Sequence, residues 1–139
     1  IDEFIGDAIL SVFGAPQTRD DDVDRAVKCA LAMQEAMEAI NRDNEAEGLP
    51  VVQTGIGLNT GKVIAGNIGS ERRSKYGFVG HEVNLTSRIE DLSLGGEILI
   101  SQSTLDKLQS EYVVGDSRQL QVKGIEKKVI VHQILGVKR

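Results

Sequence analysis

One stretch of this chain is long and periodic enough to make a helix of several turns, and the rest comes in short apolar runs cut by glycine. The long stretch opens on the acidic run at residues 20–24. It carries Val23, Val27, Ala30, Leu31, Met37 and Ile40 at helical spacing, with Cys29 beside the stripe, and Gly48-Leu49-Pro50 stops it. Acidic residues at its start suit the positive end of the helix dipole.

The shorter runs read as strands and two further helices. Residues 1–4 and 8–13 flank Ile5-Gly6-Asp7 and predict a β-hairpin with a Gly-Asp turn, stopped by Gly14-Ala15-Pro16. Residues 53–58 alternate as a strand does. Residues 59–69 are glycine-rich around Val63-Ile64-Ala65, and residues 75–79 predict another strand. Residues 82–92 predict a helix with Leu85, Ile89 and Leu92 on one face. Gly95-Gly96 marks a turn, residues 97–101 a buried strand, and residues 103–109 a short helix capped by Ser101 or Ser103. Val113-Val114 and residues 120–123 and 129–135 give a β-rich end. Helices interleaved with hairpins predict an α+β sandwich, with helices packed on a mostly antiparallel sheet.

The 139 residues are one domain's worth and can bury a core without staples. Aromatics are only 4% and Trp is absent, so Ile, Val and Leu must supply that core. A net charge of −5 argues against a fold-wide nucleic-acid footprint. Cys29 is the only cysteine, which excludes an intrachain disulfide and suits a reducing compartment. No apolar run approaches the length of a membrane span.

Four segments, in order, carry a resemblance. The first runs Glu3-Phe4-Ile5-Gly6-Asp7-Ala8-Ile9-Leu10-Ser11-Val12-Phe13-Gly14. The second is Gly55-Ile56-Gly57-Leu58-Asn59-Thr60-Gly61 with Gly66-Asn67-Ile68-Gly69. The third is Tyr76-Gly77-Phe78-Val79-Gly80-His81-Glu82-Val83-Asn84-Leu85-Thr86-Ser87-Arg88, and the weakest is Val122-Lys123-Gly124-Ile125. Together they resemble the class III nucleotidyl cyclase catalytic domain, the adenylyl and guanylyl cyclase family, in a guanylyl cyclase-like form of bacterial type. The likeness covers nearly the whole chain. It implies a ferredoxin-like sandwich over residues 1–139, with an N-terminal strand and helix expected upstream of Ile1.

The resemblance also assigns roles. Asp7 matches one of two metal-binding aspartates, although a Gly-Asp turn commonly carries such a residue for its geometry alone. The second aspartate is expected on the upstream strand, so the chain as it stands is expected to be inactive, and catalysis belongs to the complete domain with two Mg2+ or Mn2+ ions. Asn84 and Arg88, four apart on one helix face, match residues that orient the ribose and stabilise charge on the reacting phosphate. A solvated helix face would use the same pair. Lys123 matches a lysine against the terminal phosphates, with Lys127 and Lys128 close enough to compete for that role. The glycines are not a Walker A loop, since no Gly-Lys-Ser/Thr follows them.

Glu3 and Gly77 match the purine-contacting positions. Guanine presents N1–H and a 2-amino group, both donors, and an acceptor-only carboxylate such as Glu3 can take both. Adenine offers an acceptor at N1, and adenylyl cyclases usually place Lys there. Gly77 has no side chain to accept from the adenine 6-amino group. The expected substrate is therefore GTP, with ATP the alternative. Other readings stay open: an adenylyl cyclase with unusual contacts, a non-catalytic nucleotide- or partner-binding module, or motifs that only stabilise the fold. The family implies a head-to-tail homodimer with shared sites and a regulatory domain outside this segment. The expected location is the cytoplasm, free or tethered to a membrane.

Overall fold

The computed structural model describes residues 2–5, 8–15, 17–68, 75–121 and 128–138. In chain order the elements are β1 (Asp2–Ile5), β2 (Ala8–Ser11), α1 (Asp22–Ala46), β3 (Ile56–Leu58), β4 (Ile64–Ile68), β5 (Lys75–Val79), α2 (His81–Leu92), β6 (Ile98–Ser101), α3 (Gln102–Asp106), β7 (Tyr112–Gln121) and β8 (Lys128–Val137). Four strands form the central sheet in the order β3-β6-β8-β7, while β1-β2 and β4-β5 are separate hairpins. All pairings are antiparallel except β3 with β6, which are joined through β4, β5 and α2. The α+β architecture and antiparallel bias match the sequence pattern.

Helices cover both faces of the sheet. Ile98 and Ile100 of β6 and Ile134 of β8 pack with Val27 and Ala30 of α1, and Ile56 and Leu58 join them. Leu99 of β6 and Val131 of β8 pack instead with Leu85 and Ile89 of α2. Every residue of β6 is consequently buried, as expected of a strand covered on both sides.

The acidic start of α1 does more than complement a dipole. Asp24, 5% exposed, accepts hydrogen bonds from the backbone N–H of Gln109 (3.0 Å) and Ser110 (3.2 Å) and from the Tyr112 hydroxyl (3.0 Å). One carboxylate thus ties the first turn of α1 to the start of β7. Burial opposes its charge, but the two amides, Tyr112 and Lys28 outweigh burial and hold its carboxyl below the usual range. Burial first, then Asp24, pushes the Tyr112 hydroxyl up to about 12. Asp22 accepts from the N–H of Arg19 at 2.7 Å and pairs with Arg25, which stacks 5.8 Å from the Phe13 ring.

Two expectations change. Ile40 is 48% exposed, so the buried stripe of α1 ends before its last turns. Residues 53–55 do not extend β3. Side chains of α1 hold the chain just before β3: the Asn41 amide exchanges hydrogen bonds with both N–H and C=O of Val52, and Gln34 donates to the carbonyl of Thr54, which also accepts from the Gly96 N–H. Among the described residues no helix is long and apolar enough to cross a membrane.

Candidate active site

The β4-β5 hairpin feeds directly into α2. The chain turns at Gly80, whose φ of 138° is open to glycine and strained for other residues, and the helix begins at His81. Leu85 and Ile89 are 8% and 0% exposed, and they anchor one side of α2 in the core with Leu92 half-buried beside them. Asn84 and Arg88 follow the same spacing one position earlier and are exposed. Among the described residues no hydrogen bond or ion pair holds either side chain, so both are available to a ligand.

The helix lies hard against β3. A Cβ on Gly57 would sit 2.5 Å from the Glu90 backbone nitrogen and 3.0 Å from the Ile89 carbonyl carbon. Absence of a side chain at 57 is what lets the helix backbone approach this closely. At the other end of α2, the Asn59 amide donates to the Glu82 carbonyl (3.2 Å) and carboxylate (2.7 Å). Thr60 and Thr104 share a hydroxyl bond at 2.9 Å, Ser103 donates to the Thr60 carbonyl at 3.1 Å, and Ser101 caps α3 through the N–H of Thr104. The loop after β3 is therefore clasped between α2 and α3.

The remaining sequence candidates are dispersed. Gly77 lies on β5 opposite Gly66, in the strand that leads to α2, so it shares a continuous piece of chain with Asn84 and Arg88. Glu3 lies on β1 opposite Leu10, in the other hairpin. Asp7 and Lys123 lie outside the described residues. An open hollow of about 550 Å³ between β2 and α1 is lined by residues such as Phe13, Arg25 and Met33 and by none of the candidates.

Sequence reasoning read the glycines at 57 and 61 as scaffold and passed over Asn59, Glu82 and Asp24. Asn59 and Glu82 are 23 residues apart, and Asp24 and Tyr112 are 88 apart, so neither link has a local signature.

The arrangement is a sheet flanked by helices with an exposed Asn and Arg on one of them. Residues 3–136 match the family model for the adenylate and guanylate cyclase catalytic domain, and the chain belongs to that family. It is thus a class III nucleotidyl cyclase catalytic domain. It is similar to the guanylyl cyclase Cya2, with 47% identity and a TM-score of 0.90 over 99% of this chain and 70% of that one. It is similar to the adenylyl cyclase CyaB from P. aeruginosa, with 35% identity and a TM-score of 0.90 over 99% and 72%. Among sequences, adenylate cyclase 1 of Rhizobium meliloti is 29% identical over 99% of this chain. The chain spans only 21% of the length of that relative.

Cyclases of this family generally depend on divalent metal ions. Among the described residues no group of three or more His, Cys, Asp or Glu is placed to hold one. The donor on which the metal expectation rests is Asp7, a carboxylate whose hard oxygens fit Mg2+ or Mn2+.

Proposed function

We propose that this chain is the catalytic part of a guanylyl cyclase that converts GTP to 3′,5′-cyclic GMP and pyrophosphate at sites shared across a homodimer. The observation that carries the reading is α2. Its apolar side is locked in the core, the edge beside that side presents Asn84 and Arg88 four residues apart and unpaired among the described residues, and it follows directly from the strand bearing Gly77.

Each residue has a task set by its chemistry. Asn84 orients the ribose so that its 3′-oxygen faces the α-phosphate, which converts a rare encounter into a held geometry. Arg88 brings a permanent charge and a rigid fork of donors to the phosphate oxygens as negative charge shifts during displacement. Lys123 neutralises the terminal phosphates that leave as pyrophosphate. Glu3 accepts from guanine N1–H and the 2-amino group, and Gly77 leaves room for the purine edge. Asp7, with a second carboxylate expected upstream, would hold two Mg2+ or Mn2+ ions, which supply neutralisation of the phosphates and activation of the ribose hydroxyl. Asn84 and Arg88 stand on one protomer and Asp7 on its partner in this reading. A regulatory domain outside the segment and a cytoplasmic location complete it.

The choice of GTP is supported by Glu3 and by identity rather than by shape. Cya2 and CyaB superpose equally well, yet the guanylyl cyclase shares 47% of its residues with this chain and the adenylyl cyclase 35%. ATP is the second reading, favoured by the named relatives of the R. meliloti kind. The test is product formation by the full-length protein given GTP or ATP with Mg2+ or Mn2+. Cyclic GMP in clear excess, lost on Glu3→Lys, is the expected result. Cyclic AMP in excess refutes the guanine argument and leaves the family intact, and no product from a folded dimer favours a non-catalytic binding module.

A further inference from the structure

We propose that Asn59 is a positioning residue that sets Asn84 and Arg88 through the first turn of α2. This rests on the role assigned above to that pair.

The first turn of α2 lacks the usual means of fixing itself. Its N-cap is Gly80, which provides no side-chain cap. Asn59, from the loop after β3, supplies a tie from outside the helix. Its amide nitrogen reaches both the carbonyl and the carboxylate of Glu82, at 3.2 and 2.7 Å. Thr86 also donates to that carbonyl, at 2.7 Å, so Glu82 is held from above and below. Glu82 is two residues before Asn84 and six before Arg88, on the same rigid helix.

Asn59 is itself held. The Ser103 hydroxyl, which donates to the Thr60 carbonyl, lies 3.4 Å from its side-chain oxygen, and the neighbouring Thr60 bonds to Thr104, which is 1% exposed. Space is equally tight beside it: a Cβ on Gly61 would lie 2.4 Å from the Glu82 Cγ. The loop is thus anchored in the core on one side and grips α2 on the other. Gly57 fixes the far end of the helix by close approach, and Asn59 fixes the end nearer Asn84. Without that grip the first turn is free to shift, and a displacement of about 1 Å at a reacting group costs on the order of a hundredfold in rate.

The test uses the full-length protein with its preferred nucleotide and compares Asn59→Asp, Asn59→Asp/Glu82→Gln and Arg88→Ala. Asn59→Asp is isosteric, removes the donor and faces Glu82 with a like charge. It is expected to lower kcat by roughly tenfold or more with KM changed less than about threefold, because positioning acts on the transition state. Adding Glu82→Gln reverses donor and acceptor, restores the side-chain bond and is expected to recover most of the loss. Thermal unfolding, read in parallel, separates these rate effects from loss of folded protein. The proposal is overturned if Asn59→Asp keeps kcat within about twofold of wild type while Arg88→Ala is inactive, or if the paired change recovers nothing. If Arg88→Ala keeps the wild-type rate, the reading of the site fails, independently of Asn59. Should Asn59→Asp not fold, Asn59→Ala gives the same readout, and failure of both to fold shows that Asn59 holds the fold rather than the pair.

Discussion

Adding one methyl group at Gly57 tests the dependence of activity on helix placement. The new Cβ would lie 2.5 Å from the Glu90 nitrogen, 2.9 Å from its Cα and 3.0 Å from the Ile89 carbonyl carbon, where ordinary contact begins at 3.4 Å. The atoms it meets are backbone, so no side-chain rotation relieves the clash, and α2 must withdraw from β3 by about 0.9 Å. Overpacking of this kind costs about 1–3 kcal/mol, and in a domain of this size each kcal/mol lowers Tm by roughly 3–5 °C. The functional effect is larger, because α2 carries Asn84 and Arg88 and a shift near 1 Å is worth about two orders of magnitude in rate. Gly57→Ala is therefore expected to lower Tm by roughly 3–15 °C and kcat by about a hundredfold. Gly136→Ala is the control, since a Cβ there meets nothing within 4 Å. The measurement is cyclic nucleotide formation at saturating substrate, well below the unfolding temperature, with melting curves for both variants. A Gly57→Ala protein with wild-type kcat and Tm would refute the claim that backbone contact sets the helix.

Two further outcomes follow from the structure and the proposed sites. The Asp24 carboxyl lies below its ordinary value of 3.8 in the folded protein, so its stabilisation is complete above about pH 4 and is lost as pH falls through that lower folded value. Asn at position 24 cannot be charged, so Asp24→Asn should lower the urea midpoint at pH 7 and flatten its decline in acid, with Asp22 and Glu97, also shifted down, supplying the remaining slope. For the shared site, Asp7→Ala protomers mixed with Arg88→Ala protomers should regain part of the activity that each lacks alone, and mixed dimers with no recovery would refute a site built from two chains.

The legible parts of the fold were those written in local spacing. Leu85, Ile89 and Leu92 announce α2 and its buried side, and that spacing also put Asn84 and Arg88 on a common exposed edge. What misled was context. Val113-Val114 and residues 120–123 read as separate runs, yet β7 continues as one strand from Tyr112 to Gln121, with irregular register between Val113 and Ser117. Residues 53–55 alternate like a strand, but the Thr54 carbonyl is shared between the Gln34 amide of α1 and the Gly96 N–H, and Val52 just before them is held by Asn41. The division of the helices between two faces could not be read from periodicity, because a fully buried strand such as β6 has none. In the site, the grip of Asn59 on Glu82 was hidden for the same reason as the Asp24–Tyr112 tie: each joins residues far apart in the chain, and nothing local marks either partner.

The alternation along β6 makes the sheet a partition. Ile98 and Ile100 belong to the compartment under α1, while Leu99 belongs to the compartment under α2, and no side chain of that strand serves both. Repacking beneath α1 can proceed without disturbing the helix that presents Asn84 and Arg88. A signal arriving at α1 has to move the strands themselves to be felt on the other side, so the two halves of the domain are free to change independently in sequence while remaining mechanically joined through the backbones of β6 and β8.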